Sequence, residues 1–485
     1  MGIVANQSFK NTITTYLGFG LGAINTLFLY TYFISDVYYG LGAFILSTAN
    51  IMTPLMAFGA NNTLVKFYST FKTKNSLNSF LTLMLFLPLA LMIPIGVIGV
   101  FSYDIIGDLL SQKNPIVKDY VWYIFVAAIA MAYFEVFFAW SKTQMLTVFG
   151  NFMKEVFHRV GVMLLLFAVH LEWIDVQQFI IGVILVYVLR MFVMLLYAFS
   201  VRLPVFRFNR IENLSSVLKY SSLIIIAGSI ATIILDIDSF MLGLYIPIEK
   251  VAYYGVAIYI ATVIAVPSRA MQQILQPLTA QFLNEKNKVA LKDIYIRSSQ
   301  TLFVIGGFIF LLIVLNINEL YYLIPEEFSG GLIVVFLVSI AKLYDNLMGC
   351  NNVVLFNSDY YRVVLLFGVI LTVLTILLNM MFIPMFGING SAFATFLAIS
   401  IYNTIKIYFV KKKFNMMPFN AETGKVCILL VLSIALFYFW DFPFHPIVNI
   451  GLKSFLITVF YVMVILRLNV SGDISVVIRK YLRIK

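Results

Sequence analysis

Uninterrupted apolar runs about 20 residues long recur along this chain, separated by short polar stretches. Wound as a helix rising about 1.5 Å per residue, such a run matches the ~30 Å hydrocarbon thickness of a bilayer. In hydrocarbon every backbone N–H and C=O must be satisfied internally, which leaves helices or a closed barrel. A barrel strand alternates apolar and polar residues in segments of ~10, whereas these runs are continuous. A soluble chain could not hide 62% hydrophobic residues with only 11% charged. The pattern therefore predicts an all-α membrane protein with about fourteen transmembrane helices, from Thr12–Ile34 to Ile447–Leu468. The fifth run, Met153–Trp173, has a charged first third, and the thirteenth, Val426–Trp440, is short.

Charge in the connecting stretches sets an orientation. Lys10, Lys66, Lys72, Lys142, Lys154, Arg202, Arg207, Arg210, Lys286, Lys411, Lys412, Lys413, Arg479, Arg483 and Lys485 fall on one side. Asp36, Asp104, Asp108, Glu172, Asp175, Glu319, Glu326 and Asp441 fall mostly on the other. Basic loops stay in the cytoplasm, so both termini are expected there. The same rule accounts for the net charge of +11 without a nucleic-acid partner. Cys350 and Cys427 lie within expected spans and make no disulfide framework. No cleavable signal precedes the first span, which should be retained as an anchor.

The chain repeats itself weakly. Tyr38-Tyr39-Gly40 opens the second run and Tyr253-Tyr254-Gly255 the eighth; the same offset brings Lys66-Phe67 onto Gln281-Phe282. Six spans return the chain to its starting side, so the repeats should be parallel. Residues 1–210 then form an N-terminal six-helix lobe and 211–413 a C-terminal one. Residues 414–485 add two helices and a basic tail.

Asp238-Ser-Phe-Met-Leu-Gly243 followed by Val251, Tyr254 and Pro267, Pro384-Met-Phe-Gly-Ile-Asn-Gly-Ser-Ala-Phe-Ala-Thr395, and Tyr39-Gly40-Leu41 with Pro54 and Gly59 resemble the polysaccharide flippase family. That family belongs to the multidrug/oligosaccharidyl-lipid/polysaccharide (MOP) superfamily, with the multidrug and toxin extrusion (MATE) transporters and lipid II flippases. The resemblance covers the whole chain. It implies a MATE-like fold and alternating access between two six-helix lobes. Its implied cargo is an undecaprenyl-pyrophosphate-linked oligosaccharide for cell-surface polysaccharide such as the O-antigen of lipopolysaccharide. The expected partners are this substrate, membrane lipids, and a polysaccharide polymerase with its chain-length regulator.

Charge within a span is costly and points to a cavity or pathway. Arg190 in the sixth run and Lys342 in the tenth lie at membrane depth, and Arg269 follows Pro267 in the eighth. These three are the candidate cations for a diphosphate, whose oxygens suit the guanidinium fork. The alternatives are snorkelling for Arg190, a pair with Asp345 at i+3 for Lys342, and an amphipathic helix end for Arg269. Asp236, Asp238 and Asp345 are candidates for ion coupling, against a role as packing carboxyls; the resemblance favours Asp238. Arg159 and Glu135 read as interfacial. No catalytic constellation, cofactor motif or metal-ligand spacing is present: the three His fall in no ligand pattern and no Gly-rich phosphate loop occurs.

Two other functions compete with a flippase. A MATE-type cation-coupled drug or metabolite antiporter would favour an anionic, aromatic cavity. A membrane-embedded polymerase, ligase or glycosyltransferase would need a large outer loop, whereas the longest expected here, Ser102–Ile116, is about 15 residues.

Overall fold

The computed structural model describes residues 3–482 apart from Arg210, Glu212, Asn469 and Ser471; Arg483 and Lys485 of the basic residues also lie outside the described part. The described elements are all helical. Ten helices are long and apolar enough to cross a membrane, eleven if one bent pair counts as a span. The remaining expected spans are accounted for. Tyr361–Phe414 is a helical stretch of 54 residues, roughly 80 Å at about 1.5 Å per residue, far more than one crossing needs. It breaks at Gly387, whose φ of 58° and ψ of −132° are not helical, and so makes two crossings. The fifth span is interrupted by π-helical turns at Met153–Phe157 before His158–His170, and Ala421–Phe437 has 17 residues.

The bent pair is Asp36–Met56 with Ala60–Thr70, at 44°. Pro54 removes a helical hydrogen bond there, and Phe58 and Gly59 turn through positive φ. At this break the Phe58 carbonyl accepts a 2.5 Å hydrogen bond from the Ser221 hydroxyl. Gly59 is required by space as well as by φ, since a Cβ there would sit 2.5 Å from the Ser221 carbonyl oxygen.

Contacts divide the chain into two compact units, residues 1–255 and 256–485. The boundary expected after residue 210 is one of internal repetition, which compactness does not measure. In the first unit, Val121–Thr143 packs along Val176–Val201 and Asp36–Met56, and Leu214–Tyr245 also packs along Asp36–Met56. The core there holds Phe80, Phe134, Trp140 and Met194. In the second unit, Lys288–Tyr321 is central, packed by Leu332–Leu347, Ala421–Phe437 and Pro446–Leu468, with Leu311, Leu430 and Ile457 buried between.

One side chain fastens the first unit's 243–248 turn. The Asn114 amide, 5% exposed, donates to the Gly243 and Ile246 carbonyls at 2.7 and 3.0 Å and accepts from the Ile248 N–H at 2.8 Å. Asn114→Ala leaves these backbone groups without that partner. We expect a loss of about 2–3 kcal/mol, read as a lowered unfolding temperature in detergent. An unchanged temperature would show that the turn holds itself.

Candidate functional site

Three consecutive spans of the first unit carry a cluster of charged side chains. Val121–Thr143 supplies Glu135 and Lys142. The π-helical segment and the helix after it supply Lys154, Glu155, His158 and Arg159. Val176–Val201 supplies Tyr187 and Arg190. π turns re-aim side chains and recur at functional sites. This one is braced by the first helix. Gly18 lies so close that a Cβ would meet the Glu155 carbonyl oxygen at 2.4 Å and the Arg159 guanidinium at 2.6 Å, and the Asn25 amide donates to the Arg159 carbonyl at 2.8 Å.

Arg190 is 6% exposed. Its guanidinium carbon lies 4.3 Å from the Phe134 ring centroid and 4.6 Å from that of Tyr187, and its Nε–H has no hydrogen-bond partner. Arg190 is therefore held by π faces with donor capacity left over. Lys142 is held similarly, 3.8 Å from the Phe138 ring centroid. Lys154 pairs with Glu135 at 2.6 Å, joining two helices. Arg159 pairs with Glu155 at 3.2 Å, one turn back on its own segment. Glu135 lies within electrostatic reach of Lys154, Lys142 and Arg190 together. Four cations thus face two carboxylates on these spans, an excess of two positive charges with His158 counted neutral. Tyr187 carries the cluster toward Leu214–Tyr245, being within reach of Arg190, Arg159 and Asp236.

The other candidates fall elsewhere. Asp236 is half-buried and lies beside the Asn50 side chain. Asp238 is 6% exposed and accepts a 2.6 Å bond from the Tyr254 hydroxyl, a geometry that suits a packing carboxyl. Arg269 is exposed on Val266–Asn284 in the second unit. Lys342 and Asp345 are brought together at 4.0 Å, and Asp345 also accepts from the Asn403 amide at 2.8 Å. A cavity of about 450 Å³ in the second unit is lined by Met271, Leu275, Phe282 and Arg297. Its guanidinium is already engaged by Asp293 at 3.0 Å and Asp473 at 3.8 Å.

Sequence reasoning missed two features. Lys406 precedes the Lys411–Lys413 run and reads as part of a basic helix end. It is 1% exposed, bonded to the Asn352 amide oxygen at 2.9 Å, with its ammonium 4.0 Å from the Tyr402 ring centroid. Glu135 and Arg159 read as interfacial residues and Lys154 as a loop charge, because no local motif links positions on different helices. Among the described residues no group of His, Cys, Asp and Glu has the arrangement of a metal site.

This arrangement of spans defines a class, a polytopic helical membrane protein. The family profile described as polysaccharide biosynthesis protein matches residues 4–283, more than half of the sequence. The chain belongs to that polysaccharide biosynthesis protein family. No curated protein matches it in sequence. Among solved structures, the lipid II flippase MurJ in an inward closed conformation is similar with a TM-score of 0.74 at 15% identity, over 94% of this chain and 98% of that one. An inward-facing MATE family multidrug resistance transporter gives 0.58 at 12%, over 84% and 94%. A MOP superfamily transporter from Pyrococcus furiosus, described as having a binding pocket of reversed polarity, gives 0.57 at 13%, over 84% and 95%. At these identities the likeness is one of fold, shared with the lipid II flippase and the MATE transporter.

Proposed function

We propose that this protein is a flippase carrying undecaprenyl-pyrophosphate-linked oligosaccharide across the bacterial cytoplasmic membrane by alternating access. Its product would be taken up by a polysaccharide polymerase and its chain-length regulator. The observation that carries the reading is the basic cluster around Arg190. A diphosphate esterified at both ends is a dianion, and the cluster's excess of two positive charges is equal and opposite to it. Arg190 supplies a guanidinium with an unused Nε–H, and a fork of that kind fits phosphate oxygens bidentately. The diphosphate is the part every such cargo shares, so fixed cations would recognise it while looser polar contacts meet the sugar.

The family and the flippase and transporter neighbours support this reading over a membrane enzyme. The sign of the cluster supports it over a transporter of cationic drugs. Asp236, reached through Tyr187 from a fourth helix and outside the charge count, is our choice for ion coupling in place of Asp238. Proteoliposomes holding the purified protein should flip a fluorescent undecaprenyl-pyrophosphate oligosaccharide well above protein-free vesicles, and faster under an ion gradient. Flipping no faster than in protein-free vesicles under any gradient, alongside gradient-driven efflux of cationic drugs, would favour the antiporter instead.

A further inference from the structure

A transporter must release what it binds, and the cluster holds a device for this. Of its two carboxylates, Glu155 is tied to Arg159 within one turn of one segment, a local pair that moves with its helix. Glu135 differs. It spans two helices to reach Lys154, 19 residues away in sequence, and acts on three cations at once. Lys142 and Arg190 rest on aromatic rings, so Lys154 is the one of the three that an ion pair holds. The pair is partly open, with the Lys154 side chain 45% exposed and that of Glu135 22% exposed. A cation left unpaired in a partly buried site is costly, and a resident carboxylate offsets that cost when no anion is present.

We propose that Glu135 is the resident counter-ion of this cluster: the cargo's diphosphate displaces it from Lys154 on entry, and its return to Lys154 expels the cargo. This rests on the diphosphate-binding reading above. It adds that affinity is deliberately held down, because a ligand that shifts an equilibrium must differ in its interaction with the two states. Binding and release are then one exchange of partners at the Lys154 ammonium.

The test uses the full-length protein and inorganic pyrophosphate as the probe, read by calorimetry in detergent. Glu135→Gln keeps the size and removes the charge, and should bind pyrophosphate about tenfold tighter than wild type or more. In proteoliposomes the same variant should flip lipid-linked oligosaccharide several-fold more slowly at saturating cargo, because release loses its competitor. Glu135→Asp, with a shorter reach to Lys154, should fall between. In the unmutated protein, pyrophosphate should raise labelling of Glu135 by a water-soluble carbodiimide, a readout that needs no variant to fold. If wild type binds pyrophosphate through Arg190 but Glu135→Gln binds no tighter, or if labelling of Glu135 does not rise, the counter-ion role is wrong and the site reading stands. If wild type does not bind pyrophosphate at all, the site reading falls and this inference with it.

Discussion

Arg190→Ala should abolish complementation of a flippase-deficient strain while leaving the amount of protein in the membrane close to wild type. The guanidinium lies against the rings of Phe134 and Tyr187 and makes no salt bridge among the described residues, so its removal takes away a cation without orphaning a paired carboxylate. Truncating a charged group that meets a desolvated phosphate costs about 2–5 kcal/mol, or about 30-fold or more in binding. Arg190→Lys should restore only part of the activity, since it keeps the charge but loses the fork and much of the stacking. Flipping by proteoliposomes reconstituted at equal protein density is the deciding measurement. Wild-type rates from Arg190→Ala would mean that the cargo's charge is met elsewhere.

The second large effect is structural. Gly390→Ala places a Cβ 2.0 Å from the Phe382 carbonyl oxygen, a backbone atom that no side-chain rotation can move aside. Gly387, three residues earlier, already takes the positive φ that turns one crossing into the next. The two glycines of the Pro384–Gly390 corner thus serve different needs, conformation at one and close approach at the other. We expect Gly390→Ala to cost on the order of 3 kcal/mol or more, read as a lower unfolding temperature in detergent and less protein in the membrane. Gly424→Ala is the matched control. A Cβ there meets nothing within 4 Å and the residue is helical, so the change should stabilise by about 0.5–1 kcal/mol. Equal behaviour of the two variants would show that the corner opens freely.

These two residues also show what could be read in advance. The Pro384–Thr395 stretch is legible as a recurring pattern, and its glycines report a backbone constraint local enough for a sequence to carry. Arg190 is legible for another reason: a charge about 20 Å into an apolar run needs an explanation whatever surrounds it. Glu135 and Lys154 gave no such signal, because each lies within a few turns of a basic loop, where charge is ordinary. Lys406 was hidden in the same way by the lysines that follow it. The carboxyls divided differently. Asp236 and Asp238 are two residues apart and so face different ways, but which of them meets Tyr254 was not readable.

The sequence by itself determined the class of the protein. Apolar run length fixes membrane helices because the bilayer thickness is a constant, and loop charge sets their expected direction because translocation is charge-biased. Tertiary structure decided which charges meet. Helical periodicity constrains neighbours on one helix, but the meeting of Glu135, Lys154 and Arg190 depends on how three helices are rotated against one another. That rotation is set by packing at residues such as Gly18, Asn25 and Phe134, each of which looks ordinary in its own span.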